Sequence, residues 1–501
     1  MDYKKLQNGS DIRGVALEGI EGQHINLTEE VCGNIGRGFA LWLRERMGKD
    51  SLRVSVGRDS RLSGEMLCGW LCQAMSLQGI EVTDIGMAST PAMFMSTVTG
   101  DKPYDAAVMI TASHLPFNRN GFKFFTKDGG LEKQDISKIL DYAAGEKVTN
   151  LPVASVQTGA FMDAYADILV SKVRAATGED RPLDGFKIVV DAGNGAGGFY
   201  ADKVLKPLGA DTEGSQFLEP DGSFPNHIPN PEDADAMEAI KDAVSRTRAD
   251  FGIIFDTDVD RAGAVLSDGT ELNRNRIIAM LAAVLLREHP GTTIVTDSIT
   301  STGLAAFIEA RGGIHHRFKR GYRNVINESI RLNALGQDSQ LAIETSGHGA
   351  LKENYFLDDG AYLVTKLLIE LARGKKEGYK LESLIADLAE PVESKEIRLN
   401  IIPDDFKPYG QTVLEKLQAY AGEQAGWSIA ANNYEGMRVN LDAGHGNGWF
   451  LLRMSLHDPL MPLNIESDEV GGVQKIAKEL ATFLLACEGL DTEKFRAFVE
   501  E

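Results

Sequence analysis

Short apolar segments alternate with amphipathic, helix-like segments in three successive stretches of this chain. In the first stretch, the strand candidates are Arg53–Gly57, Glu81–Ile85 and Asp105–Thr111, and the helix candidates lie near 28–48 and 64–78. Strands that alternate with helices in this way favour a mostly parallel sheet with helices on both of its faces. The alternation therefore predicts α/β domains for most of the chain.

The second and third stretches begin at the strand candidates Phe186–Asp191 and Thr292–Asp297. The second continues through the glycine-rich turn 192–197 to the strand candidate Phe251–Phe255, and the third continues to Leu341–Glu344. A chain of 501 residues is too long for one hydrophobic core, and it implies three or four domains of about 100–150 residues each.

The C-terminal part of the chain has a different pattern. Four strand candidates follow one another closely, at Glu396–Ile401, Trp427–Ala431, Met437–Leu441 and Trp449–Ser455, and a helix candidate follows at Glu469–Cys487. We therefore predict three consecutive α/β domains with mixed, mostly parallel sheets, followed by a C-terminal α+β domain whose sheet is largely antiparallel. The predicted domains are 1–155, 156–268, 269–390 and 391–501.

Charge and composition exclude several classes of partner. A net charge of −21 argues against non-specific binding to nucleic acid and to an anionic membrane surface. The N-terminus lacks the apolar stretch of a signal peptide, and the longest apolar run, Ile277–Leu286, is half a membrane span. The four cysteines form neither a disulfide framework nor a zinc pattern. We predict a cytoplasmic protein without nucleic-acid or membrane partners, and the oligomeric state, monomer or dimer, stays open.

One serine stands where a strand candidate ends. Ser113 follows the apolar run 105–112, His114 is its neighbour, and Lys123 comes ten residues later. In open α/β sheets, chemistry is concentrated where strands end and loops begin. A serine hydroxyl is a weak nucleophile without a base or a metal, and the G-x-S-x-G elbow of lipases is absent. A Ser-His-Asp triad stays open, although an adjacent histidine is poorly placed to act as the base for Ser113.

A second loop, directly after the strand candidate Phe251–Phe255, carries alternating carboxylates and an arginine. These residues are Asp256, Asp258, Asp260 and Arg261. Hard carboxylate oxygens that converge in a loop suit magnesium. An EF-hand does not fit, because Arg261 replaces the glycine at position six and Ser267 the glutamate at position twelve. The alternative is a solvated acidic turn. Together with Ser113, the loop predicts phosphoryl transfer through a phosphoserine that helps to ligate the metal.

Several motifs resemble those of the α-D-phosphohexomutase family, which includes phosphoglucomutase and phosphomannomutase. Thr111-Ala-Ser-His114 with Asn120-Gly-Phe-Lys123 matches the phosphoserine loop, Asp256–Arg261 the metal loop, and Glu344-Thr-Ser-Gly-His348 the sugar-recognition loop. Further matches lie at 10–15, 56–64, 223–227 and 351–360. The motifs occur in the family's order over nearly the whole chain. The resemblance implies three α/β domains plus a smaller α+β domain, and a magnesium-dependent phosphotransferase that moves phosphate between the 1 and 6 positions of glucose or mannose.

The resemblance also implies roles for individual residues. Phospho-Ser113 would give its phosphate to the sugar phosphate, and the resulting hexose 1,6-bisphosphate, also the expected activator, would return its other phosphate to the serine. The candidate catalytic residues are Arg13, Ser113, His114, Lys123, Arg261 and His348. The candidate ligands of Mg2+ are Ser113, Asp256, Asp258 and Asp260. The candidate substrate-binding residues are Lys319, Arg320, Tyr322, Glu344, Ser346, Lys352, Arg453, Ser455 and His457.

The C-terminal phosphate loop departs from the family's pattern. In Arg453-Met-Ser-Leu-His-Asp-Pro459, Leu456 and His457 replace a small, donor-rich pair. Asn464 stands where an arginine is common, and Tyr322 where many members have a histidine. Fewer phosphate donors would weaken the grip on the substrate. A hexose 1,6-bisphosphate synthase that takes phosphate from a bisphosphate donor therefore stays open as an alternative.

Two other readings fit the sequence less well. A non-catalytic regulator is disfavoured, because the serine, the lysine, the three aspartates and Arg261 are all present. Phosphoglucosamine mutase is disfavoured, because Thr345 stands where that enzyme usually has glutamine. The sequence does not distinguish glucose from mannose substrates, which differ only at C2.

Overall fold

The computed structural model describes residues 2–145, 154–455 and 458–500. Backbone contacts divide the chain into two units, each made of two segments. The first unit comprises Met1–Leu281 and Ser346–Leu384, and the second comprises Ala282–Thr345 and Ile385–Glu501. The division falls inside the third predicted domain, since its residues 282–345 and 385–390 group with the C-terminal part and its residues 269–281 and 346–384 with the N-terminal part. Within the described ranges, no helix is both long and apolar enough to cross a membrane.

The first part of the first unit is built around one large sheet. Its elements are a 3-10 helix (Tyr3–Leu6), β1 (Gln7–Asn8), β2 (Asp11–Val15), α1 (Glu29–Met47), β3 (Leu52–Arg58), α2 (Gly64–Leu77), β4 (Ile80–Met87), α3 (Thr90–Met95), β5 (Ala106–Ile110), β6 (Arg119–Thr126), β7 (Gly129–Gly130), α4 (Lys133–Ala144) and β8 (Val156–Thr158). The strand order is β1-β2-β6-β5-β3-β4-β8, with β7 beside β6. Strands β5, β3, β4 and β8 pair in parallel, and the others add antiparallel.

Strand β6 was not predicted, because its first half contains the turn-forming residues Asn120 and Gly121. It forms because it is flanked on both sides, by β2 and by β5. A Cβ atom at Gly121 would lie 2.2 Å from the carbonyl oxygen of Ile12, so the glycine allows the close approach of β2. Strand β6 connects directly to the serine loop and brings Lys123 opposite Met109 of β5.

The second part of the first unit carries the carboxylate loop. Its elements are α5 (Met162–Thr177), β9 (Ile188–Asp191), a 3-10 turn (Ala196–Gly198), a π-helical turn (Tyr200–Leu205), α6 (Ala234–Thr247), β10 (Phe251–Phe255), β11 (Ala262–Leu266) and β12 (Glu271–Leu272). The strand order is β12-β11-β10-β9, with β9 and β10 parallel and the other pairs antiparallel. Since every residue of β10 and β11 is buried, the loop that joins them starts and ends in the core.

The next elements form a parallel three-stranded arrangement and then a hairpin with a long helix. They are α7 (Arg274–Glu288), β13 (Thr293–Thr296), α8 (Thr302–Ala310), β14 (Ile314–Arg317), α9 (Tyr322–Ala334), β15 (Ser339–Ile343), β16 (Gly349–Leu351), a 3-10 turn (Lys352–Asn354), β17 (Leu357–Asp358), α10 (Gly360–Glu377) and a 3-10 turn (Leu381–Leu384). Strand β13 pairs in parallel with β14 and β15, whereas β16 and β17 pair antiparallel. Helix α10 belongs to the first unit, where Thr365 bonds to Tyr200 at 2.8 Å.

The C-terminal part is an antiparallel sheet covered by helices. Its elements are β18 (Glu393–Ile401), α11 (Phe406–Glu423), β19 (Trp427–Ile429), β20 (Met437–Leu441), a 3-10 turn (Ala443–His445), β21 (Gly448–Leu452), β22 (Leu460–Ser467), α12 (Gly472–Leu484), β23 (Leu490–Asp491) and α13 (Glu493–Glu500). The strand order is β19-β20-β21-β22-β18-β23, and all pairs are antiparallel. The mixed α/β sheets and this C-terminal sheet confirm the predicted fold class.

Candidate active site

Ser113 lies in the connection between β5 and β6, with an unusual backbone conformation. Its φ of 50° is in the left-handed region that residues with a Cβ atom rarely adopt. Thr111 Oγ1 accepts a hydrogen bond from the Ser113 amide at 2.9 Å, and Ser113 is only 3% exposed. The surrounding structure thus holds the serine in one orientation.

The Ser113 hydroxyl lies between a carboxylate and a guanidinium. It donates a hydrogen bond to Asp256 Oδ2 at 2.9 Å and accepts one from Arg261 Nη2 at 2.9 Å. The neighbouring His114 places Nδ1 at 3.3 Å from the same oxygen. The carboxylate can accept the proton of the hydroxyl, and the guanidinium can stabilise negative charge on the oxygen. Ser113 Oγ is therefore placed to bind and release a charged group.

The three predicted metal ligands converge in the loop between β10 and β11. Asp256, Asp258 and Asp260 are buried, and one carboxylate oxygen of each lies within 4.8 Å of the others. Asp258 Oδ1 and Asp260 Oδ1 are buried without a hydrogen-bond partner in the described part of the chain. Because buried carboxylate oxygens without donors are unfavourable, these atoms fit a hard divalent cation such as Mg2+.

The electrostatic environment differs among these carboxylates. Burial raises the pKa of Asp256 well above its usual range, and the charges of Asp260 and Asp258 raise it further. Burial would also raise the pKa of Asp260, but Lys123 and His348 lower it below its usual range. Asp256, next to Ser113, is therefore the carboxylate whose negative charge is disfavoured, whereas the negative charge of Asp260 is stabilised.

Lys123 is the principal cation beside the carboxylates. Its Nζ lies 3.0 Å from Asp258 Oδ2 and also pairs with Asp260 Oδ2. The residue is 5% exposed. Since it belongs to a central strand rather than to a loop, its ammonium group is held at a defined place beside the carboxylates.

Arg261 contacts every group around the serine oxygen. Its Nε donates to Asp256 Oδ2 at 3.1 Å, and Nη1 donates to Asn230 Oδ1 at 3.1 Å. Its Nη2 donates to Ser113 Oγ and, at 2.6 Å, to His114 Nδ1. With 1% exposure, this guanidinium has one orientation, in which it can stabilise negative charge at Ser113.

The two predicted catalytic histidines have opposite electrostatics. Burial, Arg261 and Arg13 lower the pKa of His114 to about 2. Burial would lower the pKa of His348 as well, but Asp358 and Asp260 raise it to about 9. His348 Nδ1 lies 2.6 Å from Asp358 Oδ2. One ring is therefore a neutral acceptor and the other an imidazolium.

Arg13 reaches the serine loop from β2. Its Nη1 donates to the carbonyl oxygen of Ala112 at 3.2 Å, and Nη2 pairs with Asp11 Oδ2 at 2.9 Å. The first unit thus brings together all the predicted catalytic and metal-binding residues. Ser346, which is buried, and Lys352, which is exposed, belong to the same unit.

The second unit groups several of the predicted substrate-binding residues. The Gly321 amide donates to Glu344 Oε1 at 2.5 Å, and the Arg320 amide donates to Glu435 Oε2 at 3.1 Å. Glu435 Oε1 lies 3.7 Å from Arg453 Nη1. Glu435 therefore connects the segment before α9 with the loop that begins at Arg453.

Three further predicted substrate-binding residues belong to the described part of the second unit. Lys319 is exposed, and Tyr322 is the first residue of α9. Ser455 Oγ accepts a hydrogen bond from the Asp458 amide at 3.2 Å. His457, with Leu456, lies outside the described residues.

Sequence reasoning missed several side chains that support the site. Thr90 Oγ1 donates to Asp258 Oδ2, Asn230 holds Arg261, and Glu435 holds the segment at Arg320. Arg61 was inside the motif 56–64 but received no role. These contacts join segments that are distant in the chain, so no local pattern could have shown them.

Comparison with known proteins agrees with this arrangement. Residues 4–149, 163–269 and 273–392 match the family models described as phosphoglucomutase/phosphomannomutase, alpha/beta/alpha domains I, II and III. The chain is 32% identical to a phosphomannomutase/phosphoglucomutase of Pseudomonas putida over 90% of this chain and 92% of the relative. It is 31% identical to a phosphoglucomutase of Neisseria gonorrhoeae over 93% and 94%.

A solved structure has the same architecture over almost the whole length. It is the crystal structure of a phosphoglucomutase/phosphomannomutase family protein from Burkholderia thailandensis, with a TM-score of 0.78 and 28% identity. The match covers 97% of this chain and 98% of that one.

Proposed function

The chain belongs to the phosphoglucomutase/phosphomannomutase family and is a hexose phosphate mutase, and we propose that Ser113 carries the phosphate that it transfers. The observation behind this proposal is the Ser113 hydroxyl between Asp256 Oδ2 and Arg261 Nη2, at 2.9 Å from each. Phosphate would pass between phospho-Ser113 and the 1 or 6 position of glucose or mannose, through a hexose 1,6-bisphosphate.

We propose that Asp256, Asp258 and Asp260 hold Mg2+ together with an oxygen of Ser113 or its phosphate. The Oδ1 atoms of Asp258 and Asp260, which accept no hydrogen bond from the described residues, support this assignment. When bound, the ion stabilises the negative charge of the phosphoryl group during transfer. Lys123 pairs with Asp258 and Asp260 and holds both carboxylates in place.

The basic side chains around Ser113 have different roles in the proposed transfer. When the bond between phosphorus and Ser113 Oγ breaks, Arg261 donates to the oxygen on which negative charge develops. His348, as an imidazolium, would give a proton to the sugar oxygen that leaves phosphorus when phosphate returns to Ser113, and as the neutral ring it would take the proton of the attacking sugar hydroxyl in the opposite direction. His114, as a neutral acceptor, keeps Arg261 in its orientation, and Arg13 holds the loop at Ala112.

We propose that the cluster in the second unit recognises the substrate. A carboxylate accepts hydrogen bonds from two hydroxyls, so Glu344 suits a sugar that reacts in two orientations. The guanidinium of Arg453 suits a phosphate, which it can bind with two hydrogen bonds. The resemblance to the family extends substrate binding to Lys319, Arg320, Tyr322, Ser346, Lys352, Ser455 and His457, of which Ser346 and Lys352 belong to the first unit.

The test of this function is a comparison of two serine variants. Ser113→Ala should lower turnover of glucose 1-phosphate by more than about 1000-fold, because loss of a covalent nucleophile removes the pathway. The control is Ser60→Ala, which removes a buried hydroxyl that has no partner in the described chain and should change turnover less than twofold. Intact-mass spectrometry should show a phosphate on wild-type Ser113. A Ser113→Ala enzyme with near-normal turnover would disprove the proposal.

Release of the bisphosphate is a second candidate activity, supported by one contact. The Asn464 amide donates to Glu396 Oε2 at 3.1 Å, so the residue that replaces the common arginine is directed at a carboxylate. A weaker hold on the distal phosphate would let hexose 1,6-bisphosphate escape during reorientation. Phosphorus NMR of the wild-type reaction should then show free bisphosphate accumulating and should show turnover that depends on added bisphosphate. Many turnovers without detectable bisphosphate would exclude this activity.

A further inference from the structure

One buried arginine binds the backbone of the serine loop at four points. Arg61 Nη1 donates to the carbonyl oxygens of Pro116 at 2.8 Å and Arg119 at 3.0 Å. Its Nη2 donates to the carbonyl oxygen of Leu115 at 2.6 Å and to that of Ser113. The side chain of Arg61 is completely buried. One planar guanidinium thus sets the path of the chain from Ser113 to Arg119.

The charge of Arg61 is compensated within the same segment. Asp59 Oδ2 lies 3.4 Å from Arg61 Nε, and Asp59 Oδ1 accepts the Arg61 amide at 3.0 Å. The Asp59 amide also donates to the carbonyl oxygen of Ile110, the last residue of β5 before the serine loop, at 3.1 Å. Asp59 and Arg61 together therefore hold the loop on both sides of the serine.

This support matters because Ser113 has a positive φ, which is unfavourable for a residue with a Cβ atom and persists only where the surroundings enforce it. The carbonyl groups of the loop point toward Arg61, and the Ser113 side chain points toward Asp256 and Arg261. Losing the guanidinium would remove a donor from four carbonyl groups, of which that of Pro116 keeps a second donor, the Arg119 amide at 2.9 Å, and the loop would relax away from this conformation.

We propose that Arg61 is the positioning residue of phosphoryl transfer, which places Ser113 Oγ between Asp256 and Arg261. It acts through the loop and not on the substrate, because both of its Nη atoms donate to backbone carbonyls and its Nε faces the balancing charge of Asp59 at 3.4 Å. The proposal rests on the proposed function, in which Ser113 carries the phosphate.

The test compares variants of two arginines in the same segment. Arg61→Lys keeps the charge but cannot reach four carbonyls, and Arg61→Met removes the donors. Because small misplacements of a reacting group are costly, kcat should fall by about 100-fold in Arg61→Lys and further in Arg61→Met, with KM changed less than about threefold. The control is Arg58→Met, which removes a half-buried pair with Asp84 at 3.0 Å and should leave kcat within twofold.

Hydrogen–deuterium exchange shows whether the loss is local. In Arg61→Lys, faster exchange should be confined to the peptide that spans 111–121, and the thermal melting curve should stay close to that of the wild type. If Arg61→Met fails to fold, Arg61→Lys provides the test alone.

Three outcomes would overturn the proposal. They are a wild-type kcat in Arg61→Lys, a rise in KM with unchanged kcat, and a general increase in exchange over the whole first unit. Intact masses after incubation with glucose 1,6-bisphosphate separate these outcomes from failure of the proposed function. If wild-type Ser113 is phosphorylated while Arg61→Lys turns over normally, the function holds and Arg61 has no positioning role. If wild-type Ser113 takes up no phosphate, the function itself is wrong.

Discussion

His114 Nδ1 accepts a hydrogen bond from Arg261 Nη2 at 2.6 Å. A guanidinium can only donate, so the proton of the neutral ring is on Nε2. Burial and the charges of Arg261 and Arg13 lower the pKa of His114 to about 2, so the ring stays neutral at any pH at which the enzyme works. His114 therefore orients Arg261 beside Ser113 and does not take the proton of the Ser113 hydroxyl.

His114→Asn and His114→Leu separate acceptance of a hydrogen bond from ring chemistry. The asparagine Oδ1 can occupy the place of Nδ1, whereas leucine leaves a buried guanidinium N–H unpaired, at a cost of about 1.5–3 kcal/mol. We expect kcat to fall less than about tenfold in His114→Asn and about 10- to 100-fold in His114→Leu. Between pH 5 and 8, the pH dependence of kcat should have the same shape in the wild type and in His114→Asn. Equal losses in both variants would contradict this role.

Asp258→Asn should weaken the dependence on magnesium and reduce turnover. It removes one of three converging charges, so we expect kcat to fall by at least about 100-fold, with a higher Mg2+ concentration needed for half-activity. Titration of EDTA-treated enzyme with MgCl2 measures both effects. The control is Asp268→Asn, an exposed turn residue that accepts the Thr270 amide at 2.9 Å. Full activity of the wild type in excess EDTA would exclude a metal.

Arg453→Ala should affect binding more than chemistry. A charge-assisted hydrogen bond is worth about 1.5–3 kcal/mol, so KM for glucose 1-phosphate should rise about 10- to 100-fold while kcat changes little. Arg398→Ala is the matched control, because Arg398 forms an exposed ion pair with Glu396 at 2.8 Å. Initial rates over a range of substrate concentrations separate the two constants. An unchanged KM in Arg453→Ala would remove this residue from the phosphate site.

Glu466 should make the C-terminal domain less stable at high pH. Burial raises the pKa of this carboxyl from 4.5 to about 7, although Arg438 and the hydrogen bond from Trp449 oppose the rise. The folded state thus binds a proton more tightly than the unfolded state, and its stability falls as the pH rises from about 4.5 to above 7. The full effect is about 3 kcal/mol.

Glu466→Gln tests this dependence, because an amide oxygen can still accept from Trp449 Nε1, which lies 3.0 Å from Glu466 Oε2. The variant should melt at a higher temperature than the wild type at pH 8.5 and at the same temperature at pH 5. Glu479→Gln is the control, since Glu479 likewise accepts from an indole, that of Trp427 at 2.9 Å, but is only half-buried. If Glu466→Gln were more stable than the wild type at pH 5 but not at pH 8.5, the pKa of Glu466 would be lowered in the folded state and not raised.

The sequence predicted the strands whose own residues favour a strand, whatever their neighbours in the fold. The strand candidates Phe251–Phe255 and Met437–Leu441 match β10 and β20, because apolar and β-branched residues with clear ends favour strands. Strand β22 was missed, since Pro462 within it argues against a strand. It forms because it lies between β18 and β21, where the Pro462 carbonyl accepts the Arg453 amide at 3.2 Å.

The candidate site was predictable to the same extent. Ser113 and the carboxylates stand at strand ends and carry recognisable motifs, so the sequence was sufficient to name them. The neutral state of His114 and the support by Arg61 depend on contacts between segments about 50 to 150 residues apart, and no spacing in the sequence encodes them. The contact between Glu435 and Arg453 likewise required both loops to be folded.

The balance of charge around Ser113 couples two binding events. Lys123 and Arg261 face three buried carboxylates, and burial, followed by the charges of Asp260 and Asp258, raises the pKa of Asp256. A phosphate on Ser113 would add negative charge, and Mg2+ would add positive charge, so each lowers the electrostatic cost of the other. Such linkage is reciprocal: the phosphorylated enzyme should bind its ion more tightly than the dephosphorylated one. A molecule that loses its phosphate would then release its metal more readily, and recharging by a bisphosphate would restore both together.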